Sequence, residues 1–299
     1  MVNSYSTNES SINPTINNSL FLEMPLLRNV PNFFTLLNLI FGCIAIVYIL
    51  QVGQSIVVLN DQTGAYDPFF PEKLAWGSVF IFLAAIIDFV DGFVARLFKA
   101  SSKMGEQLDS LSDLVSFGVA PGMILYQLLR LGFAKEENGL DVSFWALLPA
   151  FIFTAAAAWR LAKFNISTEQ SNSFKGVPTP SAGLLVASFP LIIWYEYFGM
   201  QQLFINQWFL YGVILLVSFL MVSNLPLMAL KFKNFSYRNN SGRFILVALS
   251  AIVIIALAVM KKIWLAWPVI FVLYVLISLF YKEPLDTKAS PTKTPDVTV

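Results

Sequence analysis

Histidine is absent from the 299-residue chain, which excludes Ser–His–Asp and Cys–His catalysis and His-ligated zinc. The single cysteine, Cys43, rules out an internal disulfide or a thiolate cluster. Its apolar neighbours predict a small buried core residue. Charge is scarce as well. Asp, Glu, Lys and Arg make up 12% of the residues, where a soluble domain carries about 25%. A net charge of +1 supplies no basic field, so no nucleic-acid partner is expected. Polar chemistry is left to carboxylates, ammonium and guanidinium groups, hydroxyls and amides. What the chain has in abundance is apolar: 57% of residues are hydrophobic and the mean hydropathy is +0.69. These values exclude a soluble globular protein.

Apolar runs recur at 33–50, 74–94, 114–131, 144–161, 182–198, 208–221, 244–260 and 264–281, each near the ~20 residues that a helix needs to cross a bilayer. The pattern predicts an all-α polytopic membrane helix bundle of eight transmembrane helices over residues 31–281. A flexible Ser- and Asn-rich tail, 1–30, precedes it, and a disordered tail, 282–299, follows. With eight crossings, fourteen of the nineteen basic residues fall on one side and five on the other. The richer side, with both tails, is therefore predicted to be cytoplasmic. The loop 51–72 carries Asp61, Asp67 and Glu72 and no Lys or Arg, as an outer loop should.

Ionisable groups inside membrane helices are costly, and function is the default explanation for them. This chain concentrates four in one window: Asp88, Asp91, Asp109 and Asp113. Asp88 and Asp91, three apart, share a face of the second helix, with Ala95 four further on. Asp109 and Asp113, four apart, share a face at the start of the third. Residues 97–104, with Lys99 and Lys103, form the turn between them, so the acidic faces of two antiparallel helices can meet below the headgroups. Four carboxylates cannot all remain ionised in a low dielectric without countercharge, and Arg96 supplies one. One or two divalent cations would neutralise the rest, and all-oxygen donors suit Mg²⁺ or Mn²⁺. Such a site suits a pyrophosphate and in-line attack at phosphorus. Gly92 and Gly105 remove side chains where a ligand approaches the backbone. A non-enzymatic cation transporter using the same cluster is the rival class.

The run Asp88-x-x-Asp91-Gly92-x-x-Ala95-Arg96, eight residues, Gly105-x-x-x-Asp109-x-x-x-Asp113 resembles the signature of the CDP-alcohol phosphatidyltransferases, with every fixed position filled. The resemblance implies a six-helix transmembrane core, usually homodimeric, with the active site open to the cytoplasm and to lipid. About two extra C-terminal helices would follow that core, in a bacterial-type inner membrane. It implies transfer of a phosphatidyl group from CDP-diacylglycerol to an alcohol, with release of CMP. It further implies that Asp88, Asp91 and Asp109 are metal ligands. Asp113 would be a ligand to a second ion and the base for the acceptor hydroxyl. Gly92, Ala95, Gly105 and Asp109 would bind CDP-diacylglycerol, and Arg96 would contact its phosphates or anchor the acidic cluster.

The sequence Leu108-Asp109-Ser110-Leu111-Ser112-Asp113-Leu114-Val115-Ser116-Phe117-Gly118-Val119-Ala120-Pro121 looks like the phosphatidylserine synthase branch of that family, for which L-serine is the acceptor. Arg160-Leu161-Ala162-Lys163-Phe164-Asn165 is similar to the branch's R-x-A-R-F-N, with Lys163 in place of an arginine. The segments 174–183 and Pro31–Asn38 agree with it too. Arg160 is the candidate for the serine carboxylate, and Lys163 for a headgroup or phosphate, because arginine binds carboxylate through two parallel bonds and lysine does not. A phosphorylated acceptor, glycerol 3-phosphate or an inositol phosphate, would demand more cations than Arg160, Lys163 and Lys175 provide.

Overall fold

The computed structural model describes residues 30–51, 57–59, 66–68, 70–98, 102–134, 141–166, 174–228 and 237–280. Both expected tails lie outside the described residues, save Val30 at the start of the first helix. The chain is helical. In order it forms α1 (Val30–Leu50), α2 (Glu72–Phe98), α3 (Lys103–Asp113), a π-helical segment Leu114–Val119, and α4 (Ala120–Phe133). There follow α5 (Phe144–Leu147), α6 (Ala150–Ile166), α7 (Thr179–Trp194), α8 (Gln201–Phe204), α9 (Gln207–Val222), α10 (Tyr237–Val259) and α11 (Ala266–Phe280). Among the described residues, two short antiparallel pairs depart from a purely α architecture. Val57–Leu59 (β1) pairs with Tyr66–Pro68 (β2) between α1 and α2, and Phe174–Lys175 (β3) pairs with Pro226–Leu227 (β4).

Among the described residues, five helices are long and apolar enough to cross a membrane: Pro31–Leu50, Glu72–Leu97, Lys103–Phe133, Ser241–Val259 and Ile263–Phe280. The protein is thus a polytopic, helical integral membrane protein. Helices α7 and α9 are apolar but shorter. The run at 144–161 is broken into α5 and α6 around Pro149, whose missing N–H cannot continue a ladder. The outward faces follow the solvent logic of a bilayer: on α1, Leu36, Ile40 and Val47 are exposed. Cys43 shares that exposed face, so the expectation of a buried core thiol fails. In lipid, an apolar side chain has nothing to gain by turning inward.

The third span begins at Lys103, well before its apolar stretch, because Ser102 caps it by accepting from the Gly105 amide at 3.0 Å. It passes unbroken through the π turn into α4 and packs against α1, α6 and α7. Two glycines permit that close packing. A Cβ on Gly42 of α1 would collide with Ser116, and one on Gly183 of α7 would lie 2.9 Å from the Phe117 carbonyl oxygen. The core gathers around this span: Phe117, Ile124, Leu125, Leu128 and Leu129 are fully buried.

Candidate active site

Helix α2 carries Asp88 and Asp91 toward α3, which carries Asp109 and Asp113. One carboxylate oxygen from each of Asp88, Asp91 and Asp109 lies within 4.8 Å of the other two. Asp91 is buried and the other two are half-buried, so the triad sits at the edge of the packed interior. Asp113 lies deeper, 9% exposed. It meets the triad through a hydrogen-bonding contact with Asp88. Two carboxylates that close need a shared proton or a cation between them. The donor set fits a hard divalent ion: it is anionic, all oxygen, and drawn from two facing helices.

The first helix supplies a supporting layer that the acidic motif alone does not reveal. Thr35 Oγ1 lies 3.0 Å from Asp91 Oδ2 and 3.1 Å from the Pro31 carbonyl oxygen, and its one proton can serve either. Asn38 Nδ2 donates to Asp113 Oδ1 at 3.5 Å, a long contact. In return, α3 and the π turn tie back to α1. Ser112 Oγ donates to the Thr35 carbonyl at 3.0 Å, and Ser116 Oγ donates to the Asn38 carbonyl at 3.1 Å. Thr35, Asn38, Ser112 and Ser116 are all buried. The carboxylates are therefore held on a frame of hydroxyl and amide groups buried between otherwise apolar helices.

The remaining sequence candidates divide. At Gly92 an added Cβ would meet nothing within 4 Å, which leaves open approach to the backbone beside Asp91. At Gly105 a Cβ would lie 3.1 Å from Asn32 Oδ1, where α3 meets α1. Ala95 lies half-buried one turn beyond Asp91. Arg96 is exposed, and its Nε donates back to the Gly92 carbonyl at 2.8 Å. Among the described residues it forms no ion pair with the aspartates. Ser110 Oγ reaches Asn165 Oδ1 at 3.1 Å and links α3 to the end of α6.

Arg160 and Lys163, three residues apart on α6, end in different surroundings. Lys163 Nζ donates to Asn224 Oδ1 at 2.6 Å, just past the end of α9. Arg160 is buried and donates through Nη1 to Thr179 Oγ1 at 3.2 Å. Thr179 opens α7 directly after Pro178, so the Pro178–Pro180 segment starts that helix. Asp113 and Tyr274 are electrostatic neighbours of Arg160. Arg160 thus lies within electrostatic range of the acidic cluster, whereas Lys163 is held at the rim.

The family model described as CDP-alcohol phosphatidyltransferase matches residues 28–221. The chain belongs to the CDP-alcohol phosphatidyltransferase family. That match takes in all four aspartates, the α1 layer beneath them and Arg160. Curated relatives agree. The chain is 34% identical over 209 residues to a Helicobacter pylori protein named CDP-diacylglycerol–serine O-phosphatidyltransferase, covering 66% of this chain and 80% of that one. Proteins of the same name from Bacillus subtilis and Methanocaldococcus jannaschii are 35% identical over 134 residues and 36% identical over 145. Those alignments cover 43% and 48% of this chain, and 71% and 63% of the relatives. As a member of the family, the chain places its acidic motif across two adjoining helices, with Arg160 nearby.

Proposed function

We propose that this protein transfers the phosphatidyl group of CDP-diacylglycerol to the hydroxyl of L-serine, producing phosphatidylserine and CMP. The reading is carried by the meeting of Asp88, Asp91 and Asp109 within 4.8 Å, in a chain whose curated relatives bear the name of that reaction.

Asp88, Asp91 and Asp109 would hold a divalent cation, Mg²⁺ or Mn²⁺, with Asp113 contributing to a second position. When bound, the cations withdraw charge from the diphosphate so that CMP departs more readily. The protein supplies the rest. Asp113 accepts the proton of the serine hydroxyl as the serine oxygen bonds to the β-phosphorus and the bond from that phosphorus to CMP breaks. Asn38 and Thr35 hold Asp113 and Asp91 in orientation through the α1 contacts. Open space at Gly92 admits the diphosphate beside Asp91, and Ala95 and Gly105 belong to the same cytidine–diphosphate wall. Exposed Arg96, free of the acidic cluster, faces phosphate, and Arg160 receives the serine carboxylate.

The same reading places a six-helix catalytic core within eight crossings and pairs two copies as a homodimer in a bacterial-type inner membrane. The aspartates and both termini face the cytoplasm, in line with the surplus of Lys and Arg on that side. The test is CMP release from CDP-diacylglycerol in vesicles, with and without L-serine and with metals exchanged. Serine-dependent release that needs Mg²⁺ or Mn²⁺, and is lost in Asp91→Asn, is expected. Release driven by glycerol 3-phosphate in place of serine would overturn the acceptor. Metal flux without CMP release would overturn the chemistry.

A further inference from the structure

Helix α11 lies beyond the family match, which ends at residue 221. It packs against α7 and against β4. Tyr274, midway along it, is 6% exposed. The Tyr274 hydroxyl donates to the Met228 carbonyl at 3.3 Å, near the long limit of a hydrogen bond. Met228 follows β4, which pairs with β3. The adjoining segment is pinned by the Gly176 amide, which donates to the Leu225 carbonyl, and by the Val177 amide, which donates to the Leu220 carbonyl, both at 3.0 Å. The same strap leads into Thr179, the residue that Arg160 bonds. Tyr274 is thus fixed by packing and by its bond to the residue that follows β4, with Arg160 as its charged neighbour.

Arg160 has donors to spare. A guanidinium carries five N–H groups in a rigid fork. Among the described residues Arg160 makes one hydrogen bond, to Thr179. Its Nε is fully buried and has no partner among them. The residue as a whole is 8% exposed. A buried cation with unmet donors is costly, and a carboxylate meets that fork with two parallel bonds.

We propose that Arg160, Thr179 and Tyr274 form the seat for the carboxylate of the amino-acid acceptor, with Tyr274 as a specificity-determining residue supplied by the helix outside the family region. This rests on the reading that L-serine is the acceptor. In the seat, Arg160 donates through its fork. The Tyr274 proton turns from the Met228 carbonyl, a partner held at long range, to a carboxylate oxygen, which is the better acceptor. An amino alcohol without the carboxylate leaves both donors unmet and binds poorly. A doubly charged phosphate in the same place would want a second buried cation, and the nearest one on α6, Lys163, is directed to Asn224 at the rim.

The test uses the full-length protein in membranes and Tyr274→Phe, which keeps the ring and its packing and removes one hydroxyl. Initial rates of CMP release are measured against L-serine, ethanolamine and CDP-diacylglycerol. The KM for L-serine is expected to rise about tenfold, as loss of a hydrogen bond to a charged group implies. The KM for CDP-diacylglycerol and kcat stay within about threefold, and the preference for serine over ethanolamine falls with the serine term. Independently of turnover, L-serine raises the thermal midpoint of the wild-type protein, ethanolamine does not, and the serine shift shrinks in Tyr274→Phe. If Tyr274→Phe does not accumulate, Arg160→Lys keeps the charge without the fork and carries the same expected signature. An unchanged serine KM, or parallel rises for both substrates with unchanged discrimination, would assign Tyr274 to packing and overturn the proposal. Absence of serine-dependent CMP release from the wild-type protein would overturn the parent reading and this one together, whereas serine-dependent release with an insensitive Tyr274 overturns this one alone.

Discussion

The corner built by α1, α2 and α3 and the corner built by α6, α7 and α11 treat buried polarity in opposite ways. At the first, four carboxylates crowd together, and Thr35, Asn38, Ser112 and Ser116 lace their helices into one frame. Acceptors are in excess there. At the second, among the described residues, Arg160 holds a single bond to Thr179 and an unmet Nε, so donors are in excess. Each corner is short of what the other has, yet their side chains do not simply collapse into an ion pair. A pair of incomplete walls is what a site needs if ligand and cation are to finish both.

The largest break in that comparison should come at the acidic wall. Asp113→Asn removes the proposed base, and steady-state CMP release should show kcat lower by about 10²–10⁴-fold while the protein still inserts. Chelation with EDTA should abolish serine incorporation, and either Mg²⁺ or Mn²⁺ should restore it; full turnover in EDTA would show that the triad does not work through metal. At the donor wall, Arg160→Met should raise the L-serine KM by roughly 10–100-fold with less effect on CDP-diacylglycerol, as expected for a charged hydrogen bond lost. The frame beneath the acids should matter less. Thr35→Val deletes the contact to Asp91 and should lower kcat about tenfold with unchanged abundance in the membrane. Gly42→Ala forces a methyl into Ser116 and should cost about 1–3 kcal/mol of stability, read as a lower thermal midpoint. Equal effects of Arg160→Met on both substrates would erase the distinction between the two corners.

The acidic wall was legible because charge is rare in this chain and carboxylates in apolar helices stand out. Their spacing of three and four named the faces that meet. Its supporting frame was not legible. Thr35, Asn38, Ser112 and Ser116 are small polar groups of a kind that membrane helices accommodate readily, and only packing reveals that they bond across helices. Arg160 was visible as a charge, but its difference from Lys163 depends on which side of α6 faces Thr179. Tyr274 is one of ten tyrosines, and nothing in its neighbourhood along the chain distinguishes it. Helix lengths were partly legible: the apolar runs locate them, but α2 reaches Phe98 and α3 starts at Lys103, because polar residues beyond an apolar run still make good helix.

The π turn at Leu114–Val119 has a geometric consequence for the whole span. An α-helix advances about 100° per residue, so one additional residue in a turn swings everything downstream by roughly that angle. Upstream, the rod aims Asp109 and Asp113 at α2; downstream, its azimuth is reset so that Ile124 and Leu128 sink into the protein. A single-residue deletion inside that turn would leave each half a sound helix and point the carboxylates away from their counterparts. In this span, phase is as decisive as composition.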